Sequence, residues 1–263
     1  MYEERNRKIK ENSKATRERR SHMDCCVISV KVQENRLSNA KREKLQRCFL
    51  EAKWLSNAVI ASKTLSLEDT STVQVKVNNA FETREIKNLS SQMKQSVVDS
   101  IKTDVLNLSK AKKKGLKVGK FQFKKECNEI NLKQFGNTYR IKSNNKIAIQ
   151  NIGILVVNGL EQINLDEVEF ANAKLIQKPS GFYVHLTVYT KKQPQSSIEK
   201  EVIGLDMGIK NQLTFSNGVK VNFYVEESEQ LKNLMRKLSR QVKGSNQYKQ
   251  TLNRIKRIYE HYN

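Results

Sequence analysis

The sequence predicts an α+β protein of several parts: a small β-barrel interrupted by a helical insert, then a short strand-rich segment, then a basic helical hairpin. Three observations carry this. Two stretches before residue 110 repeat apolar residues at spacings of three and four. From about residue 130 to 192 the period switches to two, with turn residues between short runs, as in a small barrel. The helical period returns near the end, where nine Lys/Arg and no acid lie between Gln230 and Glu260.

Composition narrows the function before any motif is considered. The 263 residues hold 49 Lys+Arg against 27 Asp+Glu, a formal net charge of +22. That excess disfavours a plain metabolic enzyme and points to a polyanionic partner, most simply nucleic acid. The length allows one large domain or two to three small ones with a real core. No stretch approaches the roughly 20 apolar residues of a membrane helix, and the N-terminus lacks the apolar core of a signal peptide. No membrane association is expected, and the location expected is cytoplasmic, nucleoid-associated in a prokaryote. The cysteines are Cys25, Cys26, Cys48 and Cys127, without a CxxC pair. His22 precedes Cys25, but no second ligand pair answers it, so zinc is not expected. Cys25, Cys48 and Cys127 read as small core residues in a reducing compartment.

Residues 1–23 hold eight basic and four acidic residues and almost nothing apolar, which predicts a disordered charged arm. Val27–Val32 is β-branched strand chemistry. Ser38 is placed to cap a helix whose Leu45, Phe49, Ala52, Leu55 and Val59 fall on one face. Residues 66–79 are ambiguous, with a brief Val73/Val75/Val77 alternation. Ile86, Leu89, Met93, Val97, Ile101, Val105 and Leu108 predict a second helix over 84–109, packed on the first. Residues 110–125 read KAKKKGLKVGKFQFKK, eight Lys in sixteen positions with Phe121 and Phe123 interleaved. Point charges and rings suit a phosphate backbone; a flexible, solvated basic loop is the alternative.

Tyr139–Lys142 and Lys146–Ile152 flank a Ser143-Asn144-Asn145 turn. Ile154–Asn158 and Glu167–Gln177 follow, and Pro179-Ser180-Gly181 leads into a long strand. There Phe182, Val184, Leu186 and Val188 face a core, while Tyr183, His185, Thr187 and Tyr189 face the other way. His185 reads as a half-exposed strand residue rather than a catalytic base. Tyr183 and Tyr189 suit stacking on RNA or packing at the core's rim. Lys191–Lys200 has linker composition. Val202–Asp206 is an apolar strand running into a buried-looking Asp206, and Asn217-Gly218 joins two further strands as a hairpin. Leu231, Leu234 and Leu238, then Leu252, Ile255 and Tyr259, mark two apolar helical stripes broken at Lys243-Gly244-Ser245.

VIGLDMGIKN, TFSNG and LMRKLSRQVKGSNQYKQTLNRIKRIYEH, in that order, resemble the first catalytic block of TnpB (OrfB-type) transposon proteins, RNA-guided endonucleases related to miniature type V CRISPR effectors. LKVGKFQFKK resembles that family's Lys-rich segment, without its usual Pro. Beyond the charged arm at 1–23, the resemblance implies the first strand of a wedge β-barrel at 24–37 and a helical recognition insert at 38–119. It implies the rest of the wedge barrel at 120–195 and the N-terminal part of an RNase H-like RuvC nuclease domain at 201–263. It implies a guide RNA and target DNA as partners, with sequence specificity residing in the RNA. Asp206 matches the first RuvC carboxylate, a catalytic Mg ligand. The basic clusters offered to nucleic acid are Lys112, Lys113, Lys114, Lys117, Lys120 and Lys124, then Arg236, Lys237, Arg240 and Lys243. Lys210 serves either phosphate or structure.

The departure from the family is in the carboxylates. RuvC nucleases converge several of them on two metals, and after Asp206 the only acids are Glu226, Glu227, Glu229 and Glu260. The family's CxxC zinc ribbon is missing too. The sequence therefore implies a C-terminally truncated TnpB-like protein, with Mg belonging to the full-length family and none bound tightly by this chain. Binding without cleavage is expected, together with self-association or a complementing second chain. The alternative is an excerpt of a complete Mg-dependent nuclease. VIGLDMG also resembles the phosphate strand of actin-like ATPases, which need a second Gly-rich loop that the chain lacks. A generic basic RNA-binding protein is the plainest reading.

Overall fold

The computed structural model describes residues 2–62, 65, 67, 69–78, 80–192, 203–208, 211–222 and 228–262. The chain divides into two units, residues 1–192 and 193–263. In chain order the first unit comprises α1 (Tyr2–Ser21), β1 (Met23–Val32), α2 (Asn39–Ala61), β2 (Thr72–Val77), β3 (Ala80–Glu85) and α3 (Ser91–Lys113). There follow β4 (Glu129–Leu132), β5 (Tyr139–Ser143), β6 (Lys146–Ile149), β7 (Gly153–Asn158), β8 (Glu169–Lys178) and β9 (Gly181–Lys191).

Seven strands form one antiparallel sheet in the order β4-β8-β9-β1-β7-β6-β5, and β2 and β3 form a hairpin apart from it. The alternation read in the long strand holds: Phe182, Val184, Leu186 and Val188 of β9 are all buried. Helices α2 and α3 pack on each other and on the sheet's inner face within one continuous core. Phe49 of α2 stacks on Phe182 with ring centroids 6.1 Å apart, and the Ser96 hydroxyl of α3 donates to the Asn131 carbonyl of β4 at 3.1 Å. The sheet curls so that β5 approaches β8. There the buried Tyr139 donates its hydroxyl to the Ala171 carbonyl at 3.0 Å, and Phe135 stacks on Phe170 at 4.9 Å. The barrel is thus a half-barrel: its end strands β4 and β5 are not paired with each other.

Helix starts follow local chemistry. The Ser38 hydroxyl accepts from the Lys41 amide at 3.3 Å and the Ser90 hydroxyl from the Met93 amide at 3.4 Å, each satisfying an orphan first-turn donor. Starting at Ser91, α3 leaves Ile86 and Leu89 outside the helix. Both are nonetheless 3% and 2% exposed, because the stretch before α3 is folded onto α2. A buried carboxylate holds it there. Glu51, itself 3% exposed, accepts from the Asn88 amide at 2.8 Å, the Leu89 amide at 3.3 Å and the Asn88 side-chain nitrogen at 2.6 Å.

Two expectations need correction. Residues 2–21 form helix α1 rather than a disordered arm. The helix is polar all round, supported by i,i+4 pairs such as Lys8–Glu4 at 3.5 Å. Its last turn is tied to the sheet by Arg19 and Arg20, each 2.8 Å from Glu169. Cys25 is exposed rather than in the core, because the first half of β1 runs past the helices; Cys48 is buried and Cys127 half-buried. The ambiguous stretch contains the β2–β3 hairpin, with Val73 buried.

The second unit comprises β10 (Leu205–Asp206), β11 (Leu213–Phe215), β12 (Lys220–Val221), α4 (Glu229–Ser239) and α5 (Asn246–Tyr262). The short strands form an antiparallel sheet in that order, with Leu205 opposite Phe215 and Leu213 opposite Val221. Gly218 takes φ +85 in the Asn217-Gly218 turn, a region that L side chains rarely enter. Gly244 takes φ +90 between the two helices, and the Ser245 hydroxyl accepts from the Tyr248 amide at 3.1 Å as α5 begins. Among the described residues, no helix is long and apolar enough to cross a membrane.

Replacing Glu51 by Ala leaves two backbone donors without their acceptor. Urea unfolding of Glu51→Ala is expected to show a loss of about 2–3 kcal/mol, and Glu51→Gln a smaller one. Burial, reinforced by the nearby Glu51 charge, pushes the Cys48 thiol up to about 12, and burial also raises Cys127. Both thiols therefore stay protonated at about pH 8. Alkylation followed by peptide mass spectrometry is expected to label Cys25 and Cys26 first, Cys127 slowly, and Cys48 only after denaturation.

Candidate nucleic-acid interface

Two basic surfaces were predicted, and each takes shape within its own unit. In the second unit, α4 and α5 fold into a hairpin whose seam buries Leu231, Thr251 and Ile255. Leu234, Leu238, Leu252 and Ile258 are half-buried beside them. With the apolar stripes turned inward, Arg236, Lys237, Arg240, Lys243, Lys249, Arg254, Lys256 and Arg257 are exposed. Lys232 pairs with Glu229 at 3.2 Å in the first turn of α4. Ser228 caps that helix by accepting from the Leu231 amide at 3.2 Å. Arg236 donates to the Asn233 side chain at 3.3 Å. Among the described residues, no carboxylate lies within ion-pair distance of Arg236, Lys237, Arg240 or Lys243. Among the described residues, Arg236, Lys237, Arg240 and Lys243 therefore present charge of one sign with no ion-pair partner.

In the first unit, α3 carries Lys110, Lys112 and Lys113 in its last turn, and Lys114 follows as its C-cap. The chain then runs on without helix or strand toward β4. Lys112, Lys113, Lys114, Lys117 and Lys120 are exposed. The two rings divide: Phe121 packs against the core, while Phe123 is 63% exposed. Asn57 of α2 anchors the segment through the backbone of Lys124, accepting from its amide at 2.7 Å and donating to its carbonyl at 3.0 Å. This amide clamp was not legible in the sequence, since nothing local marks Asn57 as the partner of a residue so distant in the chain. It also changes the place of Lys124, which is half-buried and lines a cavity of about 250 Å³ with Ser56, Ser96 and Ser100. The basic segment is thus held at its far end, through Phe121 and Lys124.

Asp206 ends β10 opposite Thr214 and is exposed, not buried. The reason lies in its strand. Ile203, Leu205 and Met207 are 49%, 53% and 79% exposed, so among the described residues nothing covers β10. Lys210, Glu226 and Glu227 lie outside the described residues. Glu229 is engaged with Lys232. Among the described residues, no group of three or more His, Cys, Asp or Glu could hold a metal ion. A two-metal site needs several converging carboxylates, and Asp206 alone does not fit one, so no reaction step is assigned to it.

No curated protein matches the chain. A family model, OrfB_IS605, described as a probable transposase, matches residues 185–263. The match runs from the middle of β9 through Asp206 and the whole basic hairpin. Over these residues the chain is similar to the OrfB type of transposon protein.

Proposed function

We propose that this chain is a nucleic-acid-binding protein of a transposon. It holds a guide RNA, brings that RNA to matching DNA, and as the 263-residue polypeptide does not cut the DNA. The observation that supports this best is the α4–α5 hairpin. It lies inside the matched transposase segment and presents exposed cations with, among the described residues, no carboxylate within ion-pair distance of Arg236, Lys237, Arg240 or Lys243. Such a surface gains free energy by displacing condensed counterions from a phosphate backbone. The exposed lysines at Lys112–Lys120 add a second row of the same chemistry. In this reading the first unit is the wedge barrel with its recognition helices α2 and α3, and β10–β12 open a RuvC-type fold. The non-cutting part of the proposal rests on Asp206 having no converging carboxylates among the described residues.

Binding of single-stranded RNA is expected to weaken linearly on a log–log plot against salt, with a slope of about 0.7 per phosphate contact. Combining Arg236→Ala, Lys237→Ala, Arg240→Ala and Lys243→Ala should lower that slope by up to about 3. An unchanged slope would contradict the role of the hairpin. With Mg²⁺ and guide-matched DNA the polypeptide is expected to leave the DNA intact. Mg²⁺-dependent cleavage that vanishes in Asp206→Ala would overturn the non-cutting part of the proposal.

A further inference from the structure

Where α2, α3 and the start of β4 meet, the first unit holds a cavity of about 250 Å³, well away in sequence from the matched residues 185–263. One water needs only about 10–15 Å³ of such space, so there is room for a small molecule. The lining is polar: among the described residues, Val97 is its one aliphatic side chain. Ser56 of α2 lines the cavity and is 1% exposed, yet among the described residues its hydroxyl makes no hydrogen bond. A buried hydroxyl left unpaired is costly, so Ser56 calls for a partner inside the cavity. On α3 the Ser96 hydroxyl is committed to the Met93 and Asn131 carbonyls at 2.8 Å and 3.1 Å. One turn further on, Ser100 brings to the lining a hydroxyl with no partner among the described residues.

The charges in the lining are of both signs. Lys124 is half-buried, and its backbone is fixed by Asn57 at 2.7 Å and 3.0 Å. Its ammonium makes no ion pair among the described residues. Glu126, two residues on, lines the cavity too and is likewise without an ion pair among the described residues. Glu129 is taken by Lys174 at 3.2 Å. The cavity therefore offers one uncommitted cation, one uncommitted carboxylate and two uncommitted hydroxyls. A bare anion would answer Lys124 and meet Glu126 and Glu129 as like charges; a bare cation would leave Lys124 unanswered. A molecule with one charge of each sign answers both groups.

We propose that this cavity binds a small zwitterion, an α-amino acid. Its carboxylate accepts from Lys124 and from the Ser56 and Ser100 hydroxyls, and its ammonium donates to Glu126. The volume and the single Val97 contact suit a short polar side chain. The same carboxylates that hold the ammonium turn away a phosphate, so the cavity is no part of a nucleic-acid surface. The inference stands independently of the proposed function. The walls come from α2, α3 and the end of the Lys-rich segment, so an occupant ties these together and binding adds thermal stability.

The test is thermal unfolding of the full chain with each common α-amino acid in turn at millimolar concentration. Acetate, methylammonium and inorganic phosphate at matched ionic strength are the controls. One or a few short polar amino acids are expected to raise Tm and to saturate, while acetate and methylammonium leave it unchanged. Lys124→Gln keeps the backbone clamp and removes the cation; it should weaken the apparent affinity about tenfold, and Ser56→Ala about fivefold. The active amino acid should also slow alkylation of Cys127, which lines the cavity, and leave Cys25 unchanged. If Lys124→Gln proves unfolded by circular dichroism, Ser56→Ala decides alone. A Tm that no amino acid raises overturns the proposal and leaves a cavity of water. An equal shift with acetate or phosphate overturns it as an adventitious ion only. Wild-type affinity in both variants, or Cys127 alkylated at the free-chain rate, overturns the site. A chain that binds the amino acid but no RNA would overturn the proposed function and leave this inference standing.

Discussion

Strand β1 enters the sheet from the front of the chain and lies between β9 and β7. Its ladder with β9 runs from Met23 opposite Lys191 to Lys31 opposite Tyr183, and Lys31 is also opposite Asn158 of β7. The other six strands of this sheet all come from residues 129–191. Closing that distance makes everything between β1 and β4 a single excursion, and α2, α3 and the Lys-rich segment are displayed on it. The two bonds from Asn57 to Lys124 and the three to Glu51 then fix the excursion against itself. Removing β1 would free the helices and the basic segment together. Pairing this non-local is slow to form, since loop closure must come before most of its contacts.

Charge is distributed unevenly over this frame. In the first unit, carboxylates and cations meet: Glu169 with Arg19 and Arg20, Glu34 with Arg42, Asp99 with Lys133, Glu129 with Lys174. The pairs are mostly exposed and each contributes little to stability. Their effect is to leave the unpaired cations in distinct places. On the α4–α5 hairpin the sequence places no acid between Gln230 and Glu260. Mutual repulsion there opposes the compact hairpin at low salt, and a bound polyanion relieves it. In the proposed reading, the same cations that cost some stability in the free chain would drive association with a polyanion.

Much of the frame was legible where the cause is local. The period-two run in β9, the Ser38 cap, and the breaks at Asn217-Gly218 and Gly244 depend on neighbours within a few residues. The failures are non-local or negative. Helix α1 has no apolar stripe to announce it, and its anchor, Glu169, lies far along the chain. Ile86 and Leu89 keep helical spacing with Met93, yet they are buried by folding back under Glu51, a contact that no periodicity encodes. Asp206 sits in an apolar run that reads as interior, but burial depends on what covers a strand, and residues 203–207 themselves cannot supply a cover. The basic clusters were visible as composition. That one of them is pinned through Asn57 was not.

The central claim is that this chain holds an RNA specified by its transposon rather than any polyanion at hand. The direct measurement is to purify the chain under native conditions, digest the protein and sequence the nucleic acid that came with it. The account predicts one discrete RNA that maps beside the chain's own gene and survives moderate salt. A heterogeneous mixture stripped by the same salt, as a purely electrostatic complex would be, would contradict it.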